Sequence, residues 1–164
     1  MTKVFLKNYK IYKDKIYNYF WYRLDFNQAI AEDMTQEVFL KAFDKFDTFD
    51  RDKPFQSWIY MIAKNHLKNY YRVQGREVGY KDYESRLTTD TVTMIDIKME
   101  WEQVLEKIKA LPNKYSEVLL LRYVDGLSND EISELLCVEK GAIRTRISRA
   151  LKIIKETSED NEKY

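Results

Sequence analysis

Apolar residues return at helical spacing almost from the start of the chain. Within residues 5–24, Tyr9, Tyr12, Ile16, Tyr19, Phe20 and Leu24 form one stripe, and Lys and Arg fill much of the remainder. That pattern predicts a core-facing helix whose basic side chains snorkel to water. A second helix is predicted over about 27–46, with Ile30, Met34, Val38, Phe39, Ala42 and Phe46 inward. Glu32, Asp33, Gln36, Glu37 and Lys41 occupy its outer side. Residues 48–53 break the periodicity, and Pro54 disfavours helix at Lys53. A third helix over about 55–73 gathers Phe55, Trp58, Ile59, Ile62, Ala63, His66 and Tyr70 on one face. Beside it runs a polar stripe of Asn65, Lys68, Asn69 and Arg72 at i, i+3, i+4 and i+7. His66, set among apolar neighbours, reads as a satisfied core histidine.

Periodicity fades over 74–97, which carries Gly75, Gly79 and the polar run TTDTVT and reads as a linker. It resumes with Trp101, Val104, Leu105 and Ile108, stops at Leu111-Pro112, and continues through Tyr115 to the Asp125-Gly126 turn. Residues 128–155 then give two short helices. Ser128 and Glu131 have the spacing of a capping box, and Ile132, Leu135 and Leu136 supply an apolar face. A break is expected over 138–141, with Gly141 supplying the turn, and Cys137 stands where such turns commonly hold Gly. The second helix is expected from Ala142, burying Ile143, Ile147, Ala150, Leu151 and Ile154. Thr145, Ser148 and Lys152 point away, flanked by Arg144 and Arg149, with Arg146 nearer the buried edge. The polar tail TSEDNEKY is expected to fray. The fold class is therefore all-α: two small helical bundles, 1–73 and 98–164, joined by a flexible linker, 74–97, the C-terminal one containing a helix-turn-helix.

Composition sharpens this picture. Gly and Pro number only four and two, as suits a nearly all-helical chain. The net charge of +1 hides a partition: residues 1–75 carry 13 basic and 9 acidic side chains, 76–106 carry 4 and 8, and 107–164 carry 11 and 10. Between Lys140 and Lys155 there are six basic residues and no acidic one. One-signed charge on a short helix sets it apart from ordinary surface helices, which mix signs. No apolar run reaches the ~18 residues that span a bilayer, so no stable membrane insertion is expected. One Cys and one His exclude a zinc finger or disulfide framework. No catalytic constellation, metal-ligand set or phosphate-cradling Gly-rich loop appears, so neither an enzyme nor a cofactor is expected. A cytoplasmic, reducing setting is the default.

Two short helices with a tight turn, the second basic on its exposed face, suit a reader of the DNA major groove. The N-terminal bundle adds aromatics (Phe49, Phe55, Trp58, Tyr70, Tyr71) beside Asn65, Lys68, Asn69 and Arg72. Aromatics stack unpaired bases, amides bond splayed base edges and bases track phosphates. On these residues alone a self-sufficient helix-turn-helix regulator with a sensing or dimerising bundle stays open; it predicts a palindromic site and a stable dimer.

A resemblance to a known family narrows the choice. AEDMTQEVFLKAFDKFDTFDRDKPFQSWIYMIAKNHLKNYYR (31–72) resembles the second conserved region of bacterial RNA polymerase sigma factors. LPNKYSEVLLLRYVDGLSNDEISELLCVEKGAIRTRISRALKIIKE (111–156) is similar to their fourth. The blocks stand in family order with little between them, as in the small extracytoplasmic-function (ECF) group. The resemblance implies that Asp33, Gln36, Glu37 and Lys41 dock on the clamp helices of the largest subunit of core RNA polymerase. It implies that the 49–53 loop with Phe49, together with Asn65, Lys68, Asn69 and Arg72, melts promoter DNA at the −10 element and holds a flipped base. Many relatives have Asp where Asn69 stands, which leaves the preferred base open. Lys140, Arg144, Thr145, Arg146, Ser148, Arg149 and Lys152 would read the −35 element, with the flap of the second-largest subunit as this bundle's polymerase contact. An anti-sigma factor is a further implied partner. Sites about 25 base pairs apart lie ~85 Å apart on the duplex, and a linker of roughly 24 residues extends to ~80 Å.

Overall fold

The first helix, α1 (Thr2–Arg23), turns its aromatic stripe onto two others, α2 (Gln28–Asp44) and α3 (Phe55–Val73). In this computed structural model, which describes residues 2–75 and 95–161, no strand occurs among the described residues. Two compact units divide at Val78. The expected linker, 74–97, lies almost wholly outside the described residues: Gln74 and Gly75 close α3, and 95–97 open the next helix.

In the first unit each helix packs on the other two. From α1, Phe5, Ile16, Tyr19 and Phe20 are buried. From α2, Ala31, Met34, Val38, Phe39 and Ala42 are buried, and from α3 Phe55, Ile59, Tyr60, Ala63 and Leu67. Phe5 meets Phe43, Phe46 and Phe55 edge-on at 5.1, 5.1 and 6.4 Å between ring centres, an arrangement that ring quadrupoles favour. α2 ends at Asp44, two residues before the expected Phe46, which instead enters a 3₁₀ turn (Phe46–Thr48) and is buried there. The buried face of α3 is rotated from the expected one: Tyr60 and Leu67 are inside, while His66 and Tyr70 are half-buried. Spacing alone does not sort residues that are apolar in body and polar at the tip. On α1, Tyr9 is 38% exposed yet meets Phe39 edge-on at 4.9 Å.

The α1–α2 turn puts two non-glycine residues, Asp25 and Phe26, at φ 55° and 59°. Trp21 compensates: its Nε1 donates to the Phe26 carbonyl at 3.0 Å, and the two rings lie 4.8 Å apart. Asn27 then caps α2, accepting from the Ile30 amide at 3.1 Å. The Tyr71 hydroxyl donates to the Arg23 carbonyl at 2.5 Å, fastening the end of α3 to the end of α1.

The second unit holds α4 (Ile95–Lys109), α5 (Asn113–Leu119), a widened π turn (Leu120–Val124), α6 (Asn129–Leu136) and α7 (Lys140–Asn161). Val118, Leu119, Leu120 and Leu121 are all buried, so this segment is apolar all round and is the unit's centre. α5 packs on α4 and α7, and α6 on α7. Gly126, at φ 75°, turns the chain into α6. The capping box is present: the Glu131 amide donates to Ser128 Oγ at 3.2 Å, and the Ser128 amide donates to Glu131 Oε2 at 2.8 Å.

The helix-turn-helix corner departs from expectation. α7 starts at Lys140, Gly141 lies within it, and the left-handed residue is Cys137 at φ 54°, ψ 45°. A Schellman-type closure holds it, with the Val138 amide donating to the Ser133 carbonyl at 3.1 Å. Ser133 Oγ donates to the Val138 carbonyl at 2.5 Å. Ile143 and Ala150 are fully buried, but Leu151 is 45% exposed. The helix continues into the tail as far as Asn161, and 162–164 lie outside the described residues.

Two stability predictions follow from this corner. Cys137→Gly relieves left-handed strain of ~1–2 kcal/mol against an unfolded-state entropy cost of ~0.4–1 kcal/mol, a net gain of roughly 0.5–1 kcal/mol. Ser128→Ala removes a cap worth ~1 kcal/mol. Amide hydrogen exchange of α6 in the full chain checks both, with slower exchange expected for the first variant and faster for the second.

Candidate functional site

Burying Ala31, Met34, Val38 and Ala42 fixes what α2 shows to water. Asp33, Gln36, Glu37 and Lys41 are all exposed and share one stripe of the helix. Lys41 and Glu37 approach to 3.9 Å, and His66 of α3 reaches both. Its Nε2 lies 3.0 Å from Glu37 Oε2, and its Nδ1 lies 2.8 Å from Lys41 Nζ. Burial lowers the His66 pKa below its ordinary 6.5, Lys41 lowers it further, and Glu37 opposes the shift. The histidine is thus neutral at physiological pH and bridges two surface charges, a role its apolar neighbours in sequence conceal. Leu40, 66% exposed, stands within the same stripe. It is the apolar residue at i+3 from Glu37 and i+4 from Gln36, a position readable in the sequence but passed over there.

The 3₁₀ turn and the 49–53 loop lead into α3. Phe49 is half-buried: its ring lies 4.6 Å from Trp58, stacks on Phe46 at 6.0 Å and meets Phe55 edge-on at 5.8 Å. Asp50 organises the loop, its carboxylate accepting from the Asp52 amide at 3.1 Å. Asn65, Lys68, Asn69 and Arg72 are exposed on the later turns of α3. Counting from Trp58 they lie ~10–21 Å along the helix, so loop and stripe form a track rather than a pocket. Within it the Arg72 guanidinium donates to Asn69 Oδ1 at 2.8 Å. Arg has no acceptor, so the amide is orientated with its NH₂ free to donate.

On α7, Arg144, Thr145, Ser148, Arg149 and Lys152 are exposed and Arg146 is half-buried. Lys140 is bound back to Asp130 of α6 at 2.9 Å, and Lys152 pairs with Glu156 at 3.7 Å. Thr145 Oγ1 donates to the Gly141 carbonyl at 3.0 Å, which leaves its oxygen as an acceptor on the open face. Lys114, Tyr115, Ala142, Thr145, Arg146 and Arg149 line a groove of about 320 Å³. Lys114 and Tyr115 were missed in the sequence. A signal existed: Lys114 lies in the first turn of α5, where a cation opposes the helix dipole.

No helix among the described residues is long and apolar enough to cross a membrane. No cluster of His, Cys, Asp or Glu among them could hold a metal ion. What the faces offer is a polar stripe on α2, an aromatic and amide track, and a cationic helix.

Comparisons with known proteins identify the family. A family model described as Sigma-70 region 2 matches residues 9–77, and one described as Sigma-70, region 4 matches 101–154. The chain is 37% identical to the ECF RNA polymerase sigma factor SigW of Bacillus subtilis (strain 168), over 92% of this chain and 86% of that protein. It is 33% identical to the ECF RNA polymerase sigma-E factor of Escherichia coli (strain K12), over 74% and 70%. Among solved structures, the sigma factor RpoE from Bartonella quintana, in complex with the anti-sigma factor NepR, superposes with a TM-score of 0.71. Identity there is 21%, over 94% of this chain and 96% of that one.

Proposed function

The chain belongs to the extracytoplasmic-function RNA polymerase sigma factors, and from that premise we propose how its two units divide the work. As a member it is an initiation factor that directs promoter-specific transcription and is not an enzyme. The observation that carries the division is the presence of both conserved regions, in order, on separate compact units.

In this reading the α2 stripe of Asp33, Gln36, Glu37 and Lys41 docks on the clamp helices of the largest subunit of core RNA polymerase. Leu40 adds an apolar anchor, the kind of buried contact that carries interface energy. The second unit contacts the flap of the second-largest subunit. The protein works in the cytoplasm, where that enzyme is.

The first unit traps the melted −10 strand. Phe49, seated on Trp58, offers the exposed part of its ring as a stacking platform, and Lys68 and Arg72 attract phosphates. Asn65 and Asn69 bond the edge of a base taken from the stack. With its oxygen held by Arg72, Asn69 offers donors, which suits a base edge rich in acceptors. On the second unit Arg144, Thr145, Ser148 and Arg149 meet base edges and phosphates of the −35 element. Arg146, Lys152 and Lys114 track phosphates, while Lys140 fastens the corner to α6. A protein inhibitor of the anti-sigma class is a further proposed partner. One was captured on the Bartonella quintana relative, and covering these charged faces would silence the factor.

Two experiments test this. Glu37→Arg reverses a charge at an exposed site and should abolish core polymerase binding in a pull-down while leaving the circular dichroism spectrum unchanged. Retained binding would overturn the docking assignment. In open-complex assays Arg144→Ala should lose ~1–3 kcal/mol of discrimination at its −35 position. Lys114→Ala should weaken all promoters equally and reduce the salt slope by about 1. A promoter-dependent Lys114 effect would remove it from the phosphate track.

A further inference from the structure

We propose that His66 is a positioning residue for polymerase docking, holding Glu37 and Lys41 in one fixed arrangement on the α2 stripe. The inference rests on the assignment of that stripe to core polymerase and adds a residue from a different helix to it.

The chemistry allows one arrangement of protons. Lys41 Nζ, at 2.8 Å, has only donors to offer, so His66 Nδ1 must accept. The ring proton therefore sits on Nε2 and donates to Glu37 Oε2 at 3.0 Å. Only the neutral ring in this tautomer makes both bonds. Its side chain is 10% exposed, against 57% for Glu37 and 49% for Lys41, so the fixed member of the trio is the histidine. Two flexible charges are thereby held in place before a partner arrives, which spares their ordering on binding.

Protonation would dismantle the arrangement. It turns Nδ1 into a donor and sets a second cation against Lys41. The charged side chains that α2 exposes are Glu32, Asp33, Glu37, Lys41 and Asp44, of which Glu37 and Lys41 reach the ring. From α1 the ring meets the uncharged Phe20, 6.3 Å away between centres. Its own helix places Ile62, Asn69 and Tyr70 within a turn of it. The folded-state pKa lies below the ordinary 6.5. The sign follows: the contact is complete above the ordinary value and is lost only as pH falls through the lowered one.

Gln separates the hydrogen bonds from the titration, because one amide can accept from Lys41 and donate to Glu37 without changing charge. Affinity of the full chain for core polymerase is measured at about pH 7.5 and at a pH below the point where NMR shows the His66 ring to titrate in the wild type. For each pH the wild type is compared with His66→Ala, His66→Gln and Glu37→Arg, so effects of pH on the polymerase cancel. Loss of two ordered side chains should weaken His66→Ala roughly 5- to 150-fold at the higher pH. His66→Gln should match wild type there and bind more tightly than wild type at the lower pH. If His66→Ala binds as wild type while Glu37→Arg does not bind, the positioning role is wrong and the docking face stands. The role is also wrong if His66→Gln is as weak as His66→Ala. If Glu37→Arg binds normally, the docking face itself is wrong, and the role of His66 falls with it.

Discussion

A helix turning about 100° per residue can hide only a stripe of itself, and that limit governs every surface of this protein. α2 buries Ala31, Met34, Val38 and Ala42. Those four positions leave Asp33, Glu37 and Lys41 no direction but outward. α7 buries Ile143, Ile147 and Ala150, and the same arithmetic delivers Arg144, Thr145, Ser148 and Arg149 to water as a set. Core and interface are therefore one specification. A substitution that rotates a buried stripe rotates the recognition face with it.

Small units magnify this coupling. Each bundle has few helices, so aromatic rings with large contact areas do much of the packing, as Phe5 does against three other Phe residues. Where the core is thinnest, the chain uses polar fastenings instead. The capping box at Ser128 closes the start of α6, while the Ser133 hydroxyl across the corner and the Lys140–Asp130 pair tie α6 to the start of α7. The left-handed Cys137 fits the same account: it sits where the corner must turn, and the bonds around it over-determine its strain.

How far the sequence announced this depends on the residue type. α2 and α7 were legible because their inward positions are aliphatic and their outward ones charged, so the period has one phase. On α3 the phase was misjudged. Tyr60, His66, Tyr70 and Tyr71 each have an apolar body and a polar tip, and only contacts with α1 and α2 decide which are inside. The Glu37–His66–Lys41 trio spans 29 positions and depends on two helices meeting, which no local pattern encodes. Gly141 was assigned the turn on propensity, but the turn fell four residues earlier, where Ser133 and Glu134 supply the closing carbonyls. The capping box, by contrast, is a local device and was readable from two residues.

The charge distribution explains why such a factor needs a carrier. Its cationic surface is divided: some lies on α3, some on α7, and parts are already neutralised, Lys140 by Asp130 and Lys152 by Glu156. DNA affinity rises with the number of phosphates neutralised together, and each divided patch meets only a few. Neither unit is built to hold a duplex unaided. Fixing both on one polymerase turns two weak encounters into a single event at high effective concentration. On the proposed assignments, residues that grip the polymerase govern DNA binding as strongly as those that touch DNA, and for that reason the proposed ordering of Glu37 and Lys41 by His66 would bear on promoter selection.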